Sequence, residues 1–253
     1  MGAMAISVRG LLAGVMAVGL TAAPAGAQIS DDVVKIGVLN DQSGQFSDEN
    51  GKGSVVAAAM AAADVGGTVR GKRVVIVDAD HLNKPDVGAQ IVRRWFDTEQ
   101  VDAVADIPVS SIALAAQEIA RDKGRTLLIS GGASSDLTGK SCSATSSQWA
   151  DDTYSLAVGT AKAVVQSGGD SWFFLTSDYA FGHAMERDAS RVVGAAGGKV
   201  LGAVRHPLGT ADFSSFLLQA QGSKARIVGL AYVGGDTMSA IKQASEFGVI
   251  AGG

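Results

Sequence analysis

From about residue 30 onward, short apolar runs alternate with stretches of helical period. Val33 to Leu39 reads as a strand and runs into a polar loop from Asn40 to Asn50. An Ala-rich helix is expected over Ser54 to Asp64, then a strand over Arg73 to Val77 that ends at Asp78 and Asp80. Between Pro85 and Glu99 the apolar positions are Val87, Ile91, Val92, Trp95 and Phe96, the spacing of a helix with one buried face. A strand over Ala103 to Ile107, a helix over Ile112 to Lys123 and a strand over Thr126 to Ser130 continue the rhythm.

Between Asp136 and Ala150 the pattern breaks into a polar loop, GKSCSATSSQ, read as a crossover. It restarts with helix Thr153 to Gln166, strand Trp172 to Leu175, helix Gly182 to Ala196 and strand Lys199 to Val204. Helix Asp212 to Gln221, strand Arg226 to Ala231 and helix Thr237 to Phe247 follow. Alternation of this kind predicts an α/β protein with parallel sheets covered by helices on both faces. Two such halves predict two lobes with a cleft between them, one over residues 28–150 and one over residues 151–253. At Gly253 the alternation asks for another strand, so a chain cut short, with an incomplete second lobe, is expected over a naturally short one.

The first 27 residues stand apart. They carry one charge, Arg9, then an apolar run from Leu11 to Leu20 and the small residues Ala25-Gly26-Ala27. That is the pattern of a secretory signal peptide, cut after Ala27. The run is far shorter than the roughly 20 residues a membrane-spanning helix needs. The remaining chain is expected in the periplasm, with 20 Lys+Arg against 25 Asp+Glu and a net charge of −5. Such a surface lacks the basic footprint of a nucleic-acid binder. Cys142 is the only cysteine, so no intrachain disulfide can form.

The stretch TLLISGGASSD, Thr126 to Asp136, organises the candidate chemistry. A buried parallel strand runs into Gly131 and Gly132, where the absence of side chains lets a ligand approach the backbone. Ser134 and Ser135 follow. One strand earlier, Pro108, Ser110 and Ser111 repeat the arrangement. Open α/β sheets bind ligands at the carboxyl ends of their strands, so these two ends are expected to offer hydroxyls and N–H groups to one crevice. As sequence alone, Ser110 reads as a helix N-cap before it reads as a ligand contact.

Enzyme motifs fail. LTGKS ends like a phosphate-binding loop, but Ser134 occupies the position of its first glycine. Gly51-Lys52 fails in the same way, with Phe46 at that position. No G-x-S-x-G elbow or H-E-x-x-H pair occurs, and His81, His183 and His206 are scattered. Asp78 and Asp80 read as a solvated turn rather than a catalytic pair. The chain is therefore read as a binder, with no catalytic residue, metal or cofactor expected.

Several stretches, in order, resemble one family. VVKIGVLNDQSGQFS with GKG and an Ala-rich helix, then RGKRVVIVDAD, is similar to the opening of periplasmic binding proteins of the leucine/isoleucine/valine type. PVSSIALAAQEIARDKG and LLISGGASSDLTG look like that family's paired ligand strands. TSDYAFGHAMERDA, TADFSSFLLQAQGSKARIVGLAY and GGDTMSAIKQASEFGV look like its second lobe. The resemblance implies a type I periplasmic binding fold, two doubly wound lobes on a hinge, here without the C-terminal third. It also implies a role as the solute-binding component of an ABC importer, with a permease in the inner membrane as partner. An amino acid or other small or aromatic carboxylate is the implied solute. A sensory ligand-binding domain of the same fold, reporting to a membrane receptor, is the alternative.

Carried over by the resemblance, Ser110 and, after the next strand, the Gly132 carbonyl and Ser134 hydroxyl would grip the α-carboxylate and α-ammonium of an amino acid. Ser111 adjoins them. Tyr179, on the loop after Leu175, matches an aromatic that closes over the ligand, though a turn aromatic packing on its own lobe fits the same pattern. Asp236 is placed to meet an ammonium or hydroxyl, or to cap a helix. Phe46 is expected at the lip of the cleft.

Overall fold

A computed structural model describes residues 29–249. The expected signal peptide, its cleavage point after Ala27 and the chain end at Gly253 lie outside these residues.

The first half comprises β1 (Val33–Asn40), α1 (Gly51–Asp64), β2 (Thr68–Val69), β3 (Lys72–Asp80), α2 (Pro85–Asp97), β4 (Ala103–Asp106), α3 (Ser110–Asp122), β5 (Thr126–Ile129) and β6 (Ser146–Gln148). Its strands form one sheet in the order β2-β3-β1-β4-β5-β6. All pairings are parallel except β2 with β3. The second half comprises α4 (Thr153–Gln166), β7 (Ser171–Ser177), α5 (Ala180–Ala195), β8 (Lys199–His206), α6 (Ser214–Ser223), β9 (Ile227–Ala231) and α7 (Gly235–Glu246). Its sheet is parallel, in the order β8-β7-β9.

Side-chain periodicity explains the packing. In α2 the helical spacing puts Ile91, Val92, Trp95 and Phe96 on one buried face, with Pro85 at the start, where its missing N–H costs nothing. They join Ile107, Ile112, Leu127 and Ile129 in one core cluster. β7 is buried on both faces. Trp172 and Phe174 pack with Ala157, Ala161 and Val193, while Phe173 and Leu175 pack with Phe213 and Leu217. This is the alternation a strand imposes. Each large apolar side chain sealed in this way contributes roughly 1.5–3 kcal/mol.

β1 lies between β3 and β4, so the chain leaves it to one side and returns on the other. β7 lies in the same way between β8 and β9. Such reversals open a crevice at the carboxyl ends of the strands. The loops and helix starts beyond β1, β4, β5, β7 and β9 carry, in turn, Phe46; Ser110 and Ser111; Gly132 and Ser134; Tyr179; and Asp236.

Every strand and helix expected from the apolar pattern is present, but three features differ. The polar crossover contains β6, whose Ser-Ser-Gln sequence carries no apolar signal because it is a partly buried edge strand held by backbone pairing with β5. β2 was not expected. It turns into β3 through Arg70 and Gly71, both at positive φ (53° and 78°), which suits a two-residue hairpin turn. Asp78 and Asp80 are not in a turn but end β3. Asp78 accepts from Lys52 Nζ (2.6 Å) and Gln42 Nε2 (2.9 Å), and Asp80 accepts from Ser43 Oγ (2.6 Å).

Candidate functional site

At the end of β4, Asp106 and Ile107 both take left-handed backbone conformations, φ 78° and 54°, before Pro108. For Ile107, β-branched, that conformation is strained, and such strain typically costs on the order of 1–3 kcal/mol per residue. The Asp106 carboxylate offsets it. It accepts from Asn40 Nδ2 (3.0 Å) at the end of β1 and from Ser130 Oγ (3.2 Å) at the end of β5. The turn delivers Ser110 to the first position of α3.

Val109, not Ser110, is the N-cap of α3, and no side chain caps that helix. The Ser110 hydroxyl instead accepts the backbone N–H of Ser134 (3.2 Å), and the Ser134 hydroxyl accepts the N–H of Asp136 (3.3 Å). Both serines are buried. Their oxygens act as acceptors, and neither O–H hydrogen is donated to another described residue. Ser111, half-buried, is the second residue of α3, and the first N–H groups of a helix have no intrahelical acceptor. The Gly132 carbonyl accepts from Gln148 Nε2 (2.8 Å) on β6. A Cβ at Gly132 would lie 2.9 Å from the Ile107 carbonyl oxygen, so glycine is what lets β5 leave the sheet this close to the β4 turn.

The loop after β1 reaches the second half. Asp41, fully buried, accepts from the N–H groups of Gly44 (2.7 Å) and Phe46 (2.9 Å) and from Asn83 Nδ2 (2.6 Å). This folds the loop so that Phe46 is buried against Gly234, just beyond β9. Gly234 has φ 75°, and a Cβ there would lie 2.9 Å from the Phe46 ring. Tyr179, the N-cap of α5, packs on the first half's core together with Leu208. Its phenol is pushed far above the usual range, first by burial and then by the nearby Asp236 and Glu49 carboxylates.

Asp236 is buried in the first turn of α7, where Gly234 rather than Asp236 is the N-cap. Its Oδ2 accepts the N–H of Gly209 (3.1 Å), and His206 Nδ1 lies 3.9 Å away. Burial raises its pKa, against the opposing pull of the Gly209 N–H and His206.

The two halves also meet through a charged network that sequence reasoning missed. Buried Asp188 on α5 accepts from Ser135 Oγ (2.6 Å), Thr153 Oγ1 (2.7 Å) and Arg187 Nε (3.0 Å). Arg187 Nη1 in turn reaches Asp136 Oδ1 (3.0 Å). Asp41 and Asp106 were missed as well. Lone aspartates carry no motif, although each ends or follows an apolar strand, which is the one signal available.

The structure therefore groups Ser110, Gly132 and Ser134 around the ends of β4 and β5, with Ser111 beside them. It groups Phe46, Tyr179 and Asp236 where the loops after β1, β7 and β9 converge. None of the seven lines either of two surface depressions. One, of about 660 Å³, lies at the opposite ends of the first sheet's strands, near Val34, Ala103 and Thr126. The other, of about 570 Å³, is bordered by Asp136, Lys140, Arg187 and Arg191.

The family model described as periplasmic binding protein matches residues 33–253. A periplasmic binding protein from Burkholderia mallei is 49% identical, with a TM-score of 0.86 over 87% of this chain and 59% of that one. A branched chain amino acid ABC transporter periplasmic ligand-binding protein from Burkholderia xenovorans is 37% identical, with a TM-score of 0.69 over 85% and 57%. A solute binding protein of an ABC transporter from Rhodopseudomonas palustris, in complex with p-hydroxybenzoic acid, is 26% identical, with a TM-score of 0.78 over 88% and 60%. The chain thus spans less than two thirds of these structures. No curated protein sequence matches it.

Proposed function

The chain belongs to the periplasmic binding protein family, and from that premise we propose that it captures a small carboxylate between two lobes and delivers it to an ABC permease in the inner membrane. The lobes are residues 28–150 and 151–253, closing about the crossover. The carboxylate meets the hydroxyls of Ser110 and Ser134 and the free N–H groups at the start of α3, where the helix dipole favours an anion. Ser111 adds a hydroxyl, and the Gly132 carbonyl serves any donor on the ligand. Phe46, Tyr179 and Asp236 close the site from the seam between the lobes.

The observation that supports this reading is the hydrogen bond from the Ser134 N–H to Ser110 Oγ, which ties the loops after β4 and β5 to each other. Two relatives support a carboxylate. One is named for branched-chain amino acids and the other holds p-hydroxybenzoic acid, and both ligands carry that group. The protein binds its solute without transforming it. A thermal-shift screen of the exported chain against amino acids, aromatic acids and other small carboxylates tests the proposal. At least one acid should raise the melting temperature progressively as its concentration increases. A screen in which only uncharged or cationic solutes stabilise the protein would contradict it.

A further inference from the structure

The turn between β3 and α2 is held in a conformation that its residues resist. Leu82 and Asn83 both take left-handed backbone angles, φ 54° and 56°. For Leu82 that conformation is strained, so the turn depends on what holds it. Asp80 Oδ1 accepts the N–H of Leu82 (2.7 Å), and His81 Nδ1 accepts the N–H of Asn83 (3.1 Å). A backbone N–H can only donate, so Nδ1 has to be the unprotonated nitrogen of the ring, and Nε2 carries the hydrogen. His81 is fully buried, and its Nε2 has no partner among the described residues. The turn presents Asn83 to the loop after β1. Asn83 Nδ2 donates to Asp41 Oδ2 (2.6 Å), the same oxygen that accepts the N–H of Phe46 (2.9 Å). That loop seats Phe46 against Gly234 in the second half. A chain of contacts thus runs from His81 through Asn83 and Asp41 to the seam.

We propose that His81 is an acid-sensitive lock on the seam: protonation of Nδ1 breaks its bond to Asn83, frees the loop that carries Phe46 and loosens the hold on the solute. A proton on Nδ1 would face the Asn83 N–H, donor against donor, and the turn has to open. Burial disfavours the charged ring and pushes His81 down to about 4, against the pull of the carboxylates of Asp41 after β1, Asp80 on β3 and Asp106 at the end of β4. α2 packs on His81 at Gly88, and the charged residues at its start, Lys84 and Asp86, are exposed. An opened turn returns the ring to its ordinary value of 6.5. The closed turn is therefore at full strength above about 6.5 and weakens, by up to about tenfold per pH unit, as pH falls toward 4. Most of that window lies above the ordinary range of carboxylates. The effect on the solute rests on the carboxylate reading above, whereas the release of the loop does not.

The test is hydrogen exchange on the full exported chain without solute, read by mass spectrometry and corrected for the intrinsic pH dependence of exchange. Between pH 7 and pH 5, protection over residues 41–47 should fall about tenfold or more, while protection over β7 stays within about twofold. His81→Asn keeps an oxygen that accepts the Asn83 N–H and does not titrate, so its loop should hold its protection over the same range. NMR titration of the wild type should place His81 well below 6.5. With leucine or benzoate bound, stopped-flow dissociation should be faster at pH 5 than at pH 7 in the wild type only. Loop protection unchanged by pH in the wild type, or an equal fall in His81→Asn, would overturn the inference. So would a His81 that titrates near 6.5 with the loop still protected, or dissociation that ignores pH once the loop is released. Failure of both acids to bind would count against the carboxylate reading and leave the exchange result to decide the lock.

Discussion

Ser110 Oγ accepts the backbone N–H of Ser134 at 3.2 Å and ties the start of α3 to the loop after β5. The bond is buried and spans 24 residues of sequence, so it gives Ser110 a structural task beside its proposed role in binding. Ser110→Ala should therefore lower both properties. Loss of an acceptor for a buried N–H costs about 1–3 kcal/mol, and loss of a hydrogen bond to a charged ligand costs a similar amount. Ser134→Ala should weaken ligand binding comparably with a smaller effect on stability, because the Asp136 N–H it serves is only partly buried. Urea unfolding and calorimetry on both variants check this.

Asp106→Ala should destabilise the protein by about 2–4 kcal/mol. It takes from the buried Asn40 amide one of its two acceptors, the other being the Gly51 carbonyl, frees the exposed Ser130 hydroxyl and leaves an unaided residue in the left-handed region. Asp106→Asn, which tolerates that conformation and keeps one acceptor, should lose less. Equal losses in the two variants, measured by chemical denaturation, would contradict this role.

Asp188 and Asp236 should show opposite pH behaviour. Burial pushes Asp188 up, but bonds from Ser135, Thr153 and Arg187 outweigh it and leave its pKa depressed. Its contribution is thus present above the unfolded value and lost as pH falls through the folded one. Asp188→Asn should be less stable than wild type at neutral pH, by about 1–3 kcal/mol, with the gap narrowing in strong acid. Asp236 is raised by burial, so its favourable contribution is full below the unfolded value and fades as pH rises through the folded one. Asp236→Asn should be more stable than wild type at neutral pH, a difference that vanishes in acid. Denaturant unfolding from pH 3 to pH 8 measures both.

Much of the fold was legible because its strands and helices are built on apolar periods: α2 announces itself by Ile91, Val92, Trp95 and Phe96, and β7 by Trp172 to Leu175. β6 was not, because Ser146, Ser147 and Gln148 form a strand through backbone pairing alone. The site was partly legible. The serines and glycines after β4 and β5 mark strand ends where a chain must turn tightly. Asp106 and Asp188 gave no sign, since their partners lie up to 66 and 53 residues away in sequence and only folding brings them together.

Gly234→Ala tests the seam. The new methyl group would meet the Phe46 ring and force a left-handed conformation on alanine. Binding should fall at least about tenfold, mostly through faster dissociation, because a closed state is harder to reach. Stopped-flow fluorescence with a bound acid resolves this, and an unchanged dissociation rate would count against closure at Phe46.

The central claim is that a carboxylate is held between the two sheets. The most direct measurement is calorimetry of the wild-type chain with acids and their matched primary amides, leucine with leucinamide and benzoate with benzamide. At least one acid should bind, with its amide weaker by about tenfold or more. Amides that bind as tightly as their acids would contradict the account.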